Sequence, residues 1–98
     1  MIPPETQDAA ACLAALGNPA RLEIVRLLVQ AGPAGAPVNA LQTQLEIPAS
    51  TLSHHLSKLT GVGLMRQERE SRVLRCHLEF DRIQKMTEYL LHNCCGGL

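Results

Sequence analysis

Aromatic residues are nearly missing from this chain: it has no tryptophan, and Phe80 and Tyr89 are its one phenylalanine and one tyrosine. Proteins that hold unpaired bases stack them on aromatic rings, so this shortage speaks against single strands and RNA and leaves duplex DNA as the nucleic acid to consider. Net charge is missing too, with nine Lys/Arg against nine Asp/Glu, which argues against a generally basic polyanion binder. No run of about 18 apolar residues occurs, and MIPPETQDAA has no basic segment leading into an apolar one. Neither a membrane span nor an export signal is expected, and the expected location is the cytoplasm. The chain also lacks a phosphate loop, a metalloprotease motif and any nucleophile-base-orienter set. Cys76 and His77 stand next to each other on an expected strand and so point to opposite faces, and no enzyme activity is expected.

What is present is a 98-residue chain, 46% hydrophobic, without an internal repeat. One domain over residues 1–98 is expected, small enough to bury only about 60 to 65% of its unfolded surface, so that pairing with a second copy would help it. Four cysteines in so short a chain can signal a secreted disulfide framework. The helical patterns are strong enough to form a core without staples, and free thiols are expected. Charge is unevenly placed: residues 48–79 hold five Lys/Arg against three Asp/Glu, while residues 1–47 hold two against four.

The most informative stretch is VNALQTQLEIPASTLSHHLSK, residues 38–58. Leu41 and Leu45 mark the apolar edge of one short helix, Glu46-Ile47-Pro48 interrupts it, and Ser50 stands where the next helix needs an N-cap. Leu52, Leu56 and Leu59 follow at helical intervals and should face inward. Ser50, Thr51, Ser53, His54, Ser57 and Lys58 are left toward solvent. Two helices joined by a tight turn, the second with a face of short hydroxyls, an imidazole and a lysine, can bring hydrogen-bonding groups to base edges and phosphates without bulk. An ordinary solvated helix would have the same pattern.

The residues that follow favour the DNA reading. Gly61-Val62-Gly63 closes the helix, and Leu64–Arg69 and Val73–Leu78 read as two strands around Glu70-Ser71-Arg72. Leu74, Cys76 and Leu78 alternate onto a buried face, with Arg75 and His77 on the other. Arg69 and Arg72 flank the tip, where they suit phosphate or minor-groove contacts. Upstream, a helix is expected from Thr6 to Leu16. Asn18-Pro19 supplies an N-cap and first-turn proline for a second helix from Pro19 to Ala31, apolar nearly all round and expected in the core. Gly32–Pro37 reads as a loop, and a last helix is expected to open at Phe80 or Asp81 and run to Gly96-Gly97.

Three signatures then occur in a telling order: Leu16-Gly17-Asn18-Pro19-Ala20-Arg21-Leu22-Glu23-Ile24, Ser50-Thr51-Leu52-Ser53-His54-His55-Leu56, and Gly63-Leu64-Met65-Arg66. Together they resemble the arsenical-resistance repressor (ArsR) family of bacterial winged-helix regulators, over about residues 8 to 95. The resemblance implies a mainly α fold with a small β-hairpin, in the order α-α-α-α-β-β-α. It further implies a homodimer built through the first and last helices, which represses transcription on double-stranded operator DNA and leaves it when an effector binds.

Two of the family's effector sites are absent. A metalloid site of the form Cys-Val-Cys falls on Pro37-Val38-Asn39, and a zinc site of the forms Asp-x-His and His-x-x-Glu meets Ile83 after Asp81 and Cys95 after His92. Some members instead hold trivalent arsenic through Asn-Cys-Cys near the C-terminus plus a third cysteine, and Asn93-Cys94-Cys95 matches the first part. No cysteine follows Cys95 here. Either Cys12 replaces the third ligand, or the pair serves a methylated arsenical as a dithiol, or the third thiol lies beyond Leu98. In the expected last helix Ile83, Met86, Leu90 and Cys94 share a stripe, and Cys12 lies on the apolar face of the first helix with Ala9, Leu13 and Leu16, so thiols from two helices would converge.

Soft thiolates suit a soft ion, and the expectation is arsenite or a methylated arsenical on Cys94, Cys95 and Cys12. Plainer roles stand beside it: Cys76 as core, Cys12 as packing, His54 as a solvated ring and His55 as a half-buried one. A redox or persulfide sensor through Cys12 with Cys94 or Cys95 is the alternative, as is zinc on His92, Cys94, Cys95 and Cys12. A disulfide between the two neighbours is disfavoured, because their Cα atoms lie about 3.8 Å apart against a usual minimum near 4.4 Å.

Overall fold

The computed structural model describes residues 1–98. Pro4–Leu16 forms α1, and Pro19–Ala31 forms α2 with the bounds expected from sequence. Asn18 opens α2 because its Oδ1 accepts from the backbone N–H groups of Ala20 at 2.9 Å and Arg21 at 3.2 Å. After a single 3₁₀ turn at Gly32–Ala34, the chain makes a two-residue strand β1, Ala36–Pro37, then α3, Val38–Leu45, and α4, Ala49–Gly61. The hairpin is β2, Met65–Glu70, with β3, Val73–Leu78, and Phe80–Leu91 forms α5.

Strand order is β1-β3-β2, all antiparallel. The expected loop at Gly32–Pro37 is therefore partly ordered as a third strand, with Ala36 opposite Cys76 and Pro37 opposite Arg75. Two residues are too few to show an alternating pattern, and their pairing lies far along the chain.

One core joins the elements. Ile24, Val25 and Leu28 of α2 meet Leu41 of α3, Leu52, Leu56 and Leu59 of α4, Leu64, Met65, Cys76 and Leu78 of the wing, Cys12 and Ala15 of α1 and Met86 of α5. The second helix does not bury its whole surface, since Leu22 and Val29 are about half exposed. The alternation expected for β3 also fails at one place. His77 is buried along with Cys76 and Leu78, because the Gly32–Gly35 segment covers the face that was expected to meet water. Gly35 makes this approach feasible: at φ +70° it takes a conformation that L side chains avoid, and a Cβ there would sit 2.3 Å from the Cys76 carbonyl oxygen.

Candidate functional site

The α3 and α4 helices meet through Glu46-Ile47-Pro48. Glu46 is in the left-handed region, φ 54°, and its N–H closes α3 on the Gln42 carbonyl at 2.8 Å. Helix α4 then starts earlier than expected. Pro48 occupies the N-cap, with no side-chain cap bond, and the Leu52 N–H reaches the Pro48 carbonyl at 3.0 Å. Ser50 is thus not the cap but a first-turn residue whose hydroxyl is left free. Leu52, Leu56 and Leu59 are buried, and Ser50, Thr51, Ser53, His54, Ser57 and Lys58 are all exposed. The far end is fixed by a Schellman motif: Gly63, φ +76°, donates to Thr60 and Leu64 donates to Leu59. Polar groups thus project from a helix whose inner stripe is locked in the core.

His55, half-buried on the flank of α4, takes no part in that face. The Arg21 guanidinium donates to its Nδ1 at 3.3 Å, and burial with the neighbouring Arg21 charge holds the imidazole below its ordinary pKa of 6.5.

The wing sorts its arginines. Arg66 is tied to Glu79 at 2.5 Å and to Glu68 at 3.1 Å, and Arg75 pairs with Glu70 at 3.4 Å while donating to the Ala34 carbonyl. Arg69 and Arg72 make no ion pair and are exposed beside the two-residue tip, where Ser71 has φ 59°. They remain free for an external anion. Between α3, α4 and the hairpin runs a cleft of about 340 Å³ lined in part by Gln42, Ser53, Ser57 and Gln67.

A residue that sequence reasoning missed joins the terminal helices to this unit. Arg82 of α5 forms a bidentate pair with Asp8 of α1 at 2.5 and 2.6 Å, and also donates to the Val62 carbonyl at the end of α4 at 3.1 Å. Its hydrogen bond holds the Asp8 carboxyl below the usual range. The buried Cys12 thiol points at the same Val62 carbonyl, 3.8 Å away. Both lie in a cleft of about 200 Å³ between α1 and α5. A lone arginine in an amphipathic helix carries no sequence signal of such a contact.

The thiols divide into two groups. Burial pushes the Cys76 thiol pKa up, as suits a core residue. Cys94 and Cys95 lie beyond α5, which ends at Leu91 and not at the expected Gly96-Gly97, so Cys94 is not on the helical stripe. Both are exposed with Sγ atoms 3.4 Å apart, and Asn93 and Cys95 have φ of 61° and 64°. Within one chain Cys12, Cys94 and Cys95 do not come together, nor does His92 join them, since the one grouping of three ligand atoms within 4.8 Å is Glu68, Glu70 and His77. Cys12 lines the same cleft as Met86, whereas Cys94 and Cys95 follow the end of α5 in non-helical backbone.

These features define the protein class: a helix-turn-helix followed by a β-hairpin wing, the winged helix. A family model described as a helix-turn-helix domain matches residues 16–68, more than half of the chain. The chain belongs to this helix-turn-helix family, and the solved structures it resembles include ArsR-family transcriptional regulators. It is similar to an ArsR-like transcriptional regulator from Rhodococcus sp. RHA1, at 26% identity and a TM-score of 0.74, covering 88% of this chain and 78% of that one. It is similar to the transcriptional repressor BigR from Xylella fastidiosa, at 28% identity and 0.69, covering 92% and 89%. A homodimeric winged helix-turn-helix DNA-binding domain from Mycobacterium bovis matches at 27% and 0.72, covering 89% and 85%. No curated protein matches the chain.

Proposed function

We propose that the protein is a homodimeric repressor that sets α4 into the major groove of operator DNA and lets go when trivalent arsenic, arsenite or a methylated arsenical, binds Cys94 and Cys95. The observation that carries the DNA reading is the exposed polar face of α4, held rigid by its buried leucines and flanked by the unpaired Arg69 and Arg72. Pairing of two chains is supported by the homodimeric relative and by the apolar surface that a single chain leaves open at its terminal helices, where Leu13 is 39%, Leu90 58% and Leu91 72% exposed. Two copies of α4 about one DNA turn apart, roughly 34 Å, would then read successive grooves.

The thiol pair supports the inducer. At a thiolate bond length of about 2.3 Å, sulfurs 3.4 Å apart subtend roughly 95° at one centre, closer to a pyramidal trivalent ion than to a tetrahedron. Cys12 serves as a third ligand only from the partner chain or after rearrangement, so the pair alone suits a methylated arsenical. Release is a population shift: a ligand that changes how α1 and α5 pack favours dimers whose α4 helices miss the grooves, and Arg82, touching α1, α5 and the end of α4, is the link. A coupling of about 1 to 3 kcal/mol weakens binding roughly 5- to 150-fold.

The same exposure of Cys94 and Cys95 favours a second reading, a redox or persulfide sensor. DNA release by arsenite, methylarsenite, zinc, peroxide and polysulfide, repeated with Cys94→Ser, Cys95→Ser and Cys12→Ser, separates the two. Release by arsenicals that both C-terminal substitutions abolish is the expected result. Release by polysulfide or peroxide alone supports the second reading, and variants that all respond like the parent overturn both.

A further inference from the structure

One buried ring nitrogen has no hydrogen bond. His77 is 7% exposed, its Nδ1 lies 3.2 Å from the Pro33 carbonyl oxygen, and its Nε2 makes no hydrogen bond. A carbonyl only accepts, so Nδ1 carries the proton and donates, which leaves the Nε2 lone pair bare in the neutral ring. That lone pair faces Glu68 Oε2 at 3.6 Å, with a Glu70 carboxylate oxygen within 4.8 Å of both. A bare acceptor on a buried ring that faces a carboxylate is unfavourable unless a proton or a cation lies between them. A proton fits poorly, because 3.6 Å is too long for a hydrogen bond. A metal fits well: two ligands at about 2.1 Å from a tetrahedral ion lie roughly 3.4 Å apart.

We propose that Glu68, Glu70 and His77 form a site for a divalent cation of the zinc class on the face of the wing turned away from the core. The surroundings suit it. Imidazole and carboxylate donors favour borderline first-row ions, and three protein ligands leave a fourth position open. The Pro33 carbonyl on Nδ1 is the second contact that fixes the ring and tautomer of a metal-binding histidine. Arg66 occupies Glu68 Oε1, which turns Oε2 toward His77, and Arg75 holds the Glu70 carboxylate on the same side. Local charge leaves room for a dication, with Glu68, Glu70 and Glu79 against Arg66 and Arg75. Register explains the grouping: Arg66 pairs with His77, Glu68 with Arg75 and Glu70 with Val73, so all three ligands share one face of the hairpin. An ion there cancels the two carboxylates beside Arg69 and Arg72 and makes the wing more attractive to phosphate.

The site is independent of the C-terminal thiols and is tested without them. Zinc is titrated calorimetrically into the full chain carrying Cys94→Ser and Cys95→Ser, and cobalt binding is followed by visible absorption. Expected are one ion per chain, a cobalt spectrum without thiolate charge transfer, movement of the His77 ring resonances, and affinity at least tenfold lower in Glu68→Gln and in Glu70→Gln. Both glutamates are about half exposed, so these variants fold even where His77→Gln disturbs the packing against Pro33. His92→Gln should leave binding unchanged. No zinc binding by the double-serine chain, equal binding after Glu68→Gln, loss with His92→Gln, or a His77 ring doubly protonated in the presence of zinc would each overturn the proposal.

Discussion

At the scale of single residues, the arginines separate contact with DNA from support of the fold. Arg69 and Arg72 have no protein partner, so replacing either with alanine should weaken binding to all duplex sequences alike and lower the slope of log affinity against log salt by about one. Arg75→Ala should do the reverse, lowering thermal stability while leaving the slope alone, because its guanidinium holds the Ala34 and Gly35 carbonyls. Salt titrations of DNA binding and melting curves on the three variants check both statements. His55 makes a different prediction. Arginine only donates, so the bond from Arg21 requires a bare Nδ1, and a proton there breaks it. With its pKa held below 6.5 in the folded state, the ring takes up a proton more readily when unfolded. Its contribution is complete above that value and declines as pH falls from it toward the folded pKa. The melting temperature should therefore drop on acidification, and His55→Gln should flatten part of that drop. Parallel profiles for parent and variant would count against it.

At the scale of elements, α4 depends on its inner stripe. Leu56→Ala should cost about 2 to 5 kcal/mol, read by denaturant unfolding, since the residue is 4% exposed and belongs to the core beside the cleft that α4 shares with α3 and the hairpin. Glu46→Gly should instead raise stability by up to about 1 kcal/mol, because a residue with a Cβ is strained at φ 54° and glycine is not.

The same elements mark what the sequence could tell. Helix α2 was legible to the residue because Asn18, Pro19 and Gly32 act locally, through a cap, a fixed φ and a positive φ. The inward stripe and outward face of α4 were legible from spacing alone. Its first residue was not, since Pro48 fixed the entry in place of the Ser50 side chain. Strand β1, the burial of His77 and the clasp of Arg82 all depend on segments 20 to 74 residues apart meeting in space, and local periodicity does not encode them. The end of α5 was misplaced for a related reason. Every residue from Leu91 onward is exposed, so nothing packs against a further turn to hold it.

At the scale of the whole molecule, one chain is unusually open. Only 16 of 98 residues are buried, and the radius of gyration is 14.9 Å against about 12.6 Å for a compact chain of this length. The exposed leucines of the terminal helices account for part of that openness, and a second copy would cover them. Leu90→Glu should accordingly raise the dimer dissociation constant in sedimentation and weaken binding to a two-half-site duplex, with little change in the fold of each chain.

Repression by this protein requires that α4 read duplex DNA. Its most direct test is the affinity for a duplex carrying the protein's own promoter, measured as a function of salt for the parent and for a variant with His54→Ala and Lys58→Ala. Expected are an affinity that falls steeply with rising salt in the parent, and weaker binding with reduced preference for the promoter in the variant. Salt-independent binding, or a variant that binds the promoter as tightly and selectively as the parent, would contradict that role of α4.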